Sequence, residues 1–213
     1  EDRCIRAVPL MEEQLAADRA RAGRIVFLSD MYLPSAVLRR WLERHALATP
    51  TDLILVSGEA RANKSSGKLF ESARTATGGR FDDWEHTGDH AFADVAKPAS
   101  LGIRSRSFTR VHLTPRERAI RATTGEFTAP WRSVLAGAMR LARLERHPAT
   151  ERERVLWETG TSVAGPLFYG FVRWTLAQAE QRGLQRLYFL ARDGQILHRV
   201  AEALLERRPR PLA

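Results

Sequence analysis

Arg24-Ile-Val-Phe-Leu-Ser-Asp-Met-Tyr-Leu-Pro34, continuing into Ser35-Ala-Val-Leu-Arg-Arg-Trp-Leu42, decides the fold class of this chain. Its first six residues, Arg24 to Ser29, are a short apolar run behind a basic residue. That pattern belongs to a strand covered on both faces, as in a parallel sheet. Pro34 to Ala46 then repeats apolar residues at helical spacing, with Val37, Leu38, Trp41 and Leu42 on one side. A covered strand, a polar turn and an amphipathic helix make half of a βαβ unit.

Working outward, the unit repeats. Asp52 to Ser57 is a second apolar strand, and Gly67 to Thr77 reads as a crossover helix. Trp84 to Thr87 is a short third strand ending at Gly88-Asp89. Ala91 to Ser100 is a short helix, and Ile103 to Phe108 a fourth strand. Upstream, Pro9 to Ala22 reads as an amphipathic helix closed by Gly23 at a C-cap. Strands separated by helices imply parallel crossovers, so residues 1–110 read as an α/β domain with a doubly wound, Rossmann-like parallel sheet.

Residues 111–213 follow a different pattern. Residues 114–160 are helix-rich and broken near Pro130 and Pro148. Thr161 to Gln181 reads as a long helix with an apolar body. Leu187-Tyr-Phe-Leu-Ala191 then reads as a strand, Arg192-Asp193-Gly194 as a turn, and Gln195 to Arg207 as a final helix. The order helix, glycine, basic residue, strand, acidic turn, helix echoes residues 21–43. Both a second, degenerate copy of the βα module and separate use of the same local grammar account for the echo.

Composition narrows the function classes. The chain has 213 residues, 44% hydrophobic and 28% charged, as in ordinary globular proteins. A single cysteine, Cys4, excludes an internal disulfide and fits a reducing compartment such as the cytoplasm. Glu1-Asp2-Arg3 is charged and no apolar leader follows it. The most apolar window, Val163 to Ala179, contains Pro166, Gly170, Arg173 and Gln178, so it reads as a buried helix rather than a membrane span. The net charge is +9, and residues 101–154 hold 12 arginines against 5 acids. Such a segment can face phosphate-rich partners. Without a binding motif or an aromatic platform it reads as solvated helix faces, and nucleic acid is not the expected partner.

Ligands of open parallel sheets bind at the carboxyl ends of the strands. Ser29 and Asp30 end the first strand. Lys64 follows the second, in Asn63-Lys-Ser-Ser-Gly67, just before a helix. Asp89 and Asp94 frame the loop after the third, in Gly88-Asp-His-Ala-Phe-Ala-Asp94. A hydroxyl and an ammonium beside a helix start can hold phosphate oxygens. Two carboxylates on a loop suit Mg²⁺, which takes a few carboxylates together with water and phosphate oxygens. Taken singly, a Ser-Asp after a strand is a turn or a helix cap, a lone lysine is a surface residue and Gly-Asp is a turn. Their order and spacing give them a common meaning. Asp193 reads as a turn residue, and His86 as a structural one.

The series Val26-Phe-Leu-Ser-Asp-Met-Tyr-Leu-Pro34, Asn63-Lys-Ser-Ser-Gly-Lys-Leu-Phe70 and His86-Thr-Gly-Asp-His-Ala-Phe-Ala-Asp-Val-Ala-Lys-Pro98 resembles motifs II, III and IV of the haloacid dehalogenase superfamily. It is closest to a branch of its hydrolases that continues into a region like Leu187-Tyr-Phe-Leu-Ala-Arg-Asp-Gly194, so the resemblance spans nearly the whole chain. It implies a Mg²⁺-dependent phosphohydrolase that works through an aspartyl-phosphate. Ser29 would contact the transferring phosphoryl group, and Lys64 would neutralise the phosphate and the nucleophile. Asp89 would bind Mg²⁺ with Asp94 in support. A small phosphorylated metabolite, such as a sugar phosphate, would be the substrate. Two departures stand out. The family's first motif is a strand ending in Asp-x-Asp, and no Asp-x-Asp occurs in these 213 residues. The residues before Arg24 read as helix, so the chain is expected to be truncated ahead of Glu1 and inactive by itself. His90 stands where the branch often has Asn. The rival readings are a non-catalytic scaffold on the same fold and, behind it, an arginine-rich nucleic-acid-binding module.

Overall fold

A computed structural model describes residues 5–122 and 129–206. The chain falls into two compact units, residues 1–112 with 144–147, and residues 113–143 with 148–213.

The first unit is mixed α/β. Helix α1 (Pro9–Arg21) leads into β1 (Val26–Ser29), α2 (Ser35–Arg44) and β2 (Leu53–Val56). β1 and β2 pair in parallel, with Val26 opposite Leu53 and Ser29 opposite Val56. The apolar face read from Pro34 onward does the packing. Leu38 is buried against Ile54 and Val56, with Phe27, Met31, Leu33, Trp41 and Leu42 around them. A single turn, α3 (Ser57–Ala60), precedes α4 (Lys68–Thr77), whose Leu69, Phe70 and Ala73 are wholly buried. Burying a Leu or Phe side chain contributes about 1.5–3 kcal/mol, so α4 is a main anchor of the unit. β3 (Glu85–Gly88), α5 (Lys97–Ser100) and β4 (Arg104–Ser107) complete it, with β3 and β4 also parallel.

Four strands of parallel sense therefore stand at the four places the sequence marks, β1 and β2 as apolar runs and β3 and β4 as polar ones. They form two ribbons, β1-β2 and β3-β4, rather than one four-stranded sheet. Strand propensity and crossover length specify parallel pairing, but neither specifies which edge a strand joins. One edge of β1 and one of β3 have no strand partner among the described residues.

Helix α1 departs from its sequence reading. None of its residues is fully buried, and it ends at Arg21 with Ala22 extended, so Gly23 is not a left-handed cap. Ionic contacts hold it instead. Arg19 makes two bonds of 2.9 and 2.8 Å to the Asp52 carboxylate and one of 2.8 Å to the Leu47 carbonyl. Asp18 accepts from Arg106 at 2.9 Å, and Arg21 reaches Glu85 at 2.9 Å. The helix expected over Ala91 to Ser100 is a π turn, Ala91–Ala96, running into α5.

The second unit is helical among its described residues: α6 (Pro115–Ala122), α7 (Ala129–Leu144), α8 (Glu151–Thr159), α9 (Gly165–Gln181) and α10 (Gly194–Glu206). Helices α8 and α9 are joined by a π turn, Gly160–Ala164, whose flanking residues keep right-handed helical geometry, so Glu151 to Gln181 runs without a break. Thr150 and Glu153 form a reciprocal capping box at its start. The fully buried apolar residues are few and, apart from Met139, small: Ala136, Val172, Ala179 and Ala201. Glu117 and Arg143 form a fully buried ion pair at 2.9 Å.

Two expectations fail in this unit. Leu187 to Leu190 joins no ladder and Ala191 opens the turn, and none of the described residues forms a strand beside this run. Phe189 leans on His198 of α10, while Tyr188 and Leu190 are more than 80% exposed. The apolar window Val163 to Ala179 is buried only in part: Val172 and Ala179 are covered, whereas Leu167, Phe171 and Trp174 face outward. No helix among the described residues is long and apolar enough to cross a membrane.

Candidate functional site

The carboxyl ends of β1 and β2 are fastened to each other by backbone chemistry. Ser57 Oγ and Gly58 N both donate to the Met31 carbonyl, at 3.2 and 3.1 Å. A Cβ on Gly58 would lie 3.0 Å from that oxygen, so any other residue would push the two loops apart by a few tenths of an ångström. The next turn, Asn63-Lys-Ser-Ser-Gly67, is closed by Asn63, whose side chain accepts from Ser66 N at 2.8 Å. Gly67 ends it at φ +83°, with the Lys97 side chain packed where a Cβ would go.

That turn fixes Lys64 from both ends. Its backbone N–H donates to both oxygens of Asp30, at 3.0 and 3.2 Å. Its ammonium lies 2.6 Å from Asp94 Oδ1. Asp94 comes from the π turn after β3 and is 2% exposed. Its Oδ1 also meets His86 Nε2 at 2.9 Å, and its Oδ2 accepts from His90 N at 3.0 Å. Every oxygen of this buried carboxylate is therefore engaged. A Cβ at Gly88 would sit 2.4 Å from Asp94 Cγ, so the strand end has no room for any other residue with Asp94 in place.

The electrostatics follow from this geometry. Burial pushes the Asp94 carboxyl up, but the hydrogen bonds from His86, Lys64 and the His90 amide, together with the Lys64 charge, outweigh it and hold its pKa at about 2. Burial pushes His86 below its ordinary value, against the pull of Asp94 and with help from the Lys64 charge. A neutral His86 bonded to a carboxylate must carry its proton on Nε2. The edge of the Phe70–His86 contact, with ring centroids 5.1 Å apart, fixes the imidazole from the other side. His90 caps the π turn by accepting from Phe92 N and Ala93 N through Nδ1, at 3.2 and 3.0 Å.

Of the four residues singled out in the sequence, Lys64 and Asp94 are in direct contact. Asp89 is exposed on the other side of Gly88 and pairs with His112 Nε2 at 3.0 Å. Ser29 is half-buried next to Asp30, and its hydroxyl meets none of these groups. The contacts add Asp30, His86 and His90. His86 was legible only as a structural residue, since nothing local marks its partner eight positions away. His112 had no signal, because it lies 23 positions from Asp89.

An ammonium has three donors, and Asp94 engages Lys64 on one side. The remaining donors can receive an anion's oxygens without leaving a buried charge unpaired. For Mg²⁺, the donor set is uneven. Asp94 is 2% exposed and already accepts three hydrogen bonds, whereas the outward carboxylate of Asp89 is the kind of single ligand that Mg²⁺ uses with water and phosphate. Among the described residues no group of three or more His, Cys, Asp or Glu side chains is placed to hold a metal ion. The exposed Asp89 carboxylate, paired with His112, would be a direct ligand of such an ion. No family model matches this chain, and no curated protein matches it.

Proposed function

We propose that residues 24–108 are the phosphate-binding part of a haloacid-dehalogenase-type, Mg²⁺-dependent phosphohydrolase domain acting on a small phosphorylated metabolite, such as a sugar phosphate. One observation carries this reading. Lys64 is bonded through its backbone to Asp30, at the end of β1, and through its ammonium to Asp94, after β3. A single lysine thereby ties together the loops that follow three strands, and such loops are where open parallel sheets bind ligands.

In this reading Ser29 and Lys64 hold phosphoryl oxygens, Asp94 aims the Lys64 ammonium, and neutral His86 keeps Asp94 in place. Asp89 would hold Mg²⁺, whose charge would offset that of the phosphate. The free edges of β1 and β3 could seat a further parallel strand bringing a carboxylate nucleophile. Without such a strand the same residues bind a phosphate and do not cleave it, because no Asp-x-Asp occurs in the 213 residues. That absence favours a second reading, a non-catalytic phosphate-binding scaffold. A nucleic-acid module is less well supported, since Arg106, Arg143 and Arg154 are engaged by carboxylates.

Calorimetric titration with inorganic phosphate in the presence of MgCl₂ tests the proposal. Millimolar binding is expected, weakened about tenfold or more in Lys64→Ala, because a charge-assisted contact is lost. Affinity unchanged in Lys64→Ala would overturn the assignment. The same chain should release no p-nitrophenol from p-nitrophenyl phosphate. Turnover that survives repurification and disappears in Asp89→Asn would show that the nucleophile is present after all.

A further inference from the structure

Lys97 lies across the Asn63–Gly67 turn that carries Lys64. A Cβ at Gly67 would stand 2.8 Å from Lys97 Cε, 3.4 Å from its Nζ and 3.5 Å from Leu101 Cδ1. The buried glycine is therefore the floor on which the lysine stem rests, and any other residue there would displace it. The ammonium is left beside the first turn of α4, which begins at Lys68.

That is an unfavourable place for a cation without a partner. Lys97 is half-buried, and among the described residues no carboxylate pairs with it. One turn back along its own segment, the oxygens of Asp94 are taken by Lys64, His86 and the His90 amide. The single acid of α4, Glu71, is bonded to Arg74 at 2.9 Å. The start of a helix also carries the positive end of its dipole, which repels an ammonium. Lys64, by contrast, is balanced by Asp94 at 2.6 Å. One turn thus holds a neutralised lysine at one end and, at the other, a cation whose counter-ion the described residues do not supply.

We propose that Lys97 binds a second anionic group of the substrate, an inference that rests on the phosphate reading of Lys64. The substrate is then a phosphate ester that also carries a carboxylate or another phosphate, such as a phosphorylated sugar acid, rather than a neutral sugar phosphate. A separate group fits better than a second contact to one phosphate. The Lys64 ammonium is drawn to Asp94, in the loop after β3, whereas the Lys97 ammonium is turned to Gly67 and makes no bond to that carboxylate. A phosphate held by Lys64 therefore leaves Lys97 to receive the oxygens of a neighbouring group. An anion there answers both the unpaired charge and the positive helix end.

Calorimetry on the full chain in MgCl₂, with matched phosphonates, reads the second contact apart from the first. Phosphonoacetate, 3-phosphonopropionate and 4-phosphonobutyrate are each compared with the alkylphosphonate that has a methyl group in place of the carboxylate. For at least one spacing the carboxylate should bind about tenfold tighter than its methyl counterpart, the effect of one charge-assisted contact. Lys97→Met keeps an apolar stem on Gly67 and removes the charge, so this preference should disappear. Lys68→Met removes an exposed charge one residue from Gly67, and the preference should remain. No preference at any of the three spacings, a preference that survives Lys97→Met, or one that Lys68→Met also removes would each overturn the proposal. Failure of the underlying phosphate reading looks different. The alkylphosphonates would then bind the parent and Lys64→Ala equally well, and the inference would fall with that reading.

Discussion

Gly88 decides where Asp94 can be. Its backbone is not left-handed, so an alanine would fit the chain itself. The obstacle is the Asp94 carboxylate, with Cγ 2.4 Å and Oδ2 2.7 Å from the position of a new Cβ. That contact involves the base of a short side chain already held by Lys64, His86 and the His90 amide, so it cannot swing away without giving up several hydrogen bonds. Gly88→Ala should therefore cost about 1–3 kcal/mol of stability, the usual range for forced overpacking. It should also weaken phosphate binding, because Lys64 loses its orienting partner. Urea titration followed by phosphate calorimetry measures both. A Gly88→Ala chain as stable as the parent would mean that Asp94 is not seated against the strand end. The glycine was legible in the sequence as a turn residue after a strand, but its role was not, because the neighbour that forbids a side chain lies six positions further on.

At the scale of elements, apolar runs and helical spacing located β1, β2, α2 and α4 to within a few residues, since burial of Leu38, Ile54, Val56 and Phe70 depends on local pattern, whereas the polar strands β3 and β4 were placed by the turns and helices around them. Three features were not local. Helix α1 is held by Asp18, Arg19 and Arg21 to partners 33 to 88 positions away, which no window on the helix reveals. Pairing of strands into two ribbons depends on which edges meet. The run Leu187 to Ala191 has strand composition, yet a strand exists only when a neighbour accepts its hydrogen bonds. Helix α6 shows the same dependence on a distant partner. Glu117 closes its own first turn, accepting from Thr114 N at 2.8 Å, and is bonded by Arg143 of α7 at 2.9 and 3.0 Å. Burial pushes its carboxyl up, but Arg143 and Thr114 prevail and hold it below its ordinary 4.5. A depressed acid adds stability that is complete above the unfolded value and is lost as pH falls through the lower folded one. Acid should therefore loosen the α6–α7 contact only below about pH 4.5. In Glu117→Gln that acid limb should shrink in a plot of the second unit's stability against pH, while the limb that Asp94 gives the first unit stays. An unchanged acid limb would mean that other carboxylates control it.

For the whole molecule, the division into residues 1–112 with 144–147 and residues 113–143 with 148–213 has a thermodynamic consequence. The first unit has its own apolar core around Leu38, Ile54 and Val56, and a buried helix face on α4. The second has its own small core and the Glu117–Arg143 pair. Two cores that do not share residues can melt separately, and each then answers only to its own defects. Gly88→Ala and Glu117→Gln place one defect in each unit. Removing Glu117 takes away the carboxylate that binds the buried Arg143 guanidinium at 2.9 and 3.0 Å, and breaking a buried ion pair on one side costs about 3–5 kcal/mol. In urea at neutral pH, Glu117→Gln should lower the transition of the second unit and leave the first where it was, and Gly88→Ala should do the reverse. Tryptophan can report the two separately, because Trp41 and Trp84 lie in the first unit and Trp131, Trp157 and Trp174 in the second. Single-tryptophan variants retaining Trp84 or Trp157, both partly buried, give one probe for each unit. A single transition, reported identically by both probes and shifted by both substitutions, would mean that the two units unfold as one, and the phosphate site could then be disabled by any defect in the helical half.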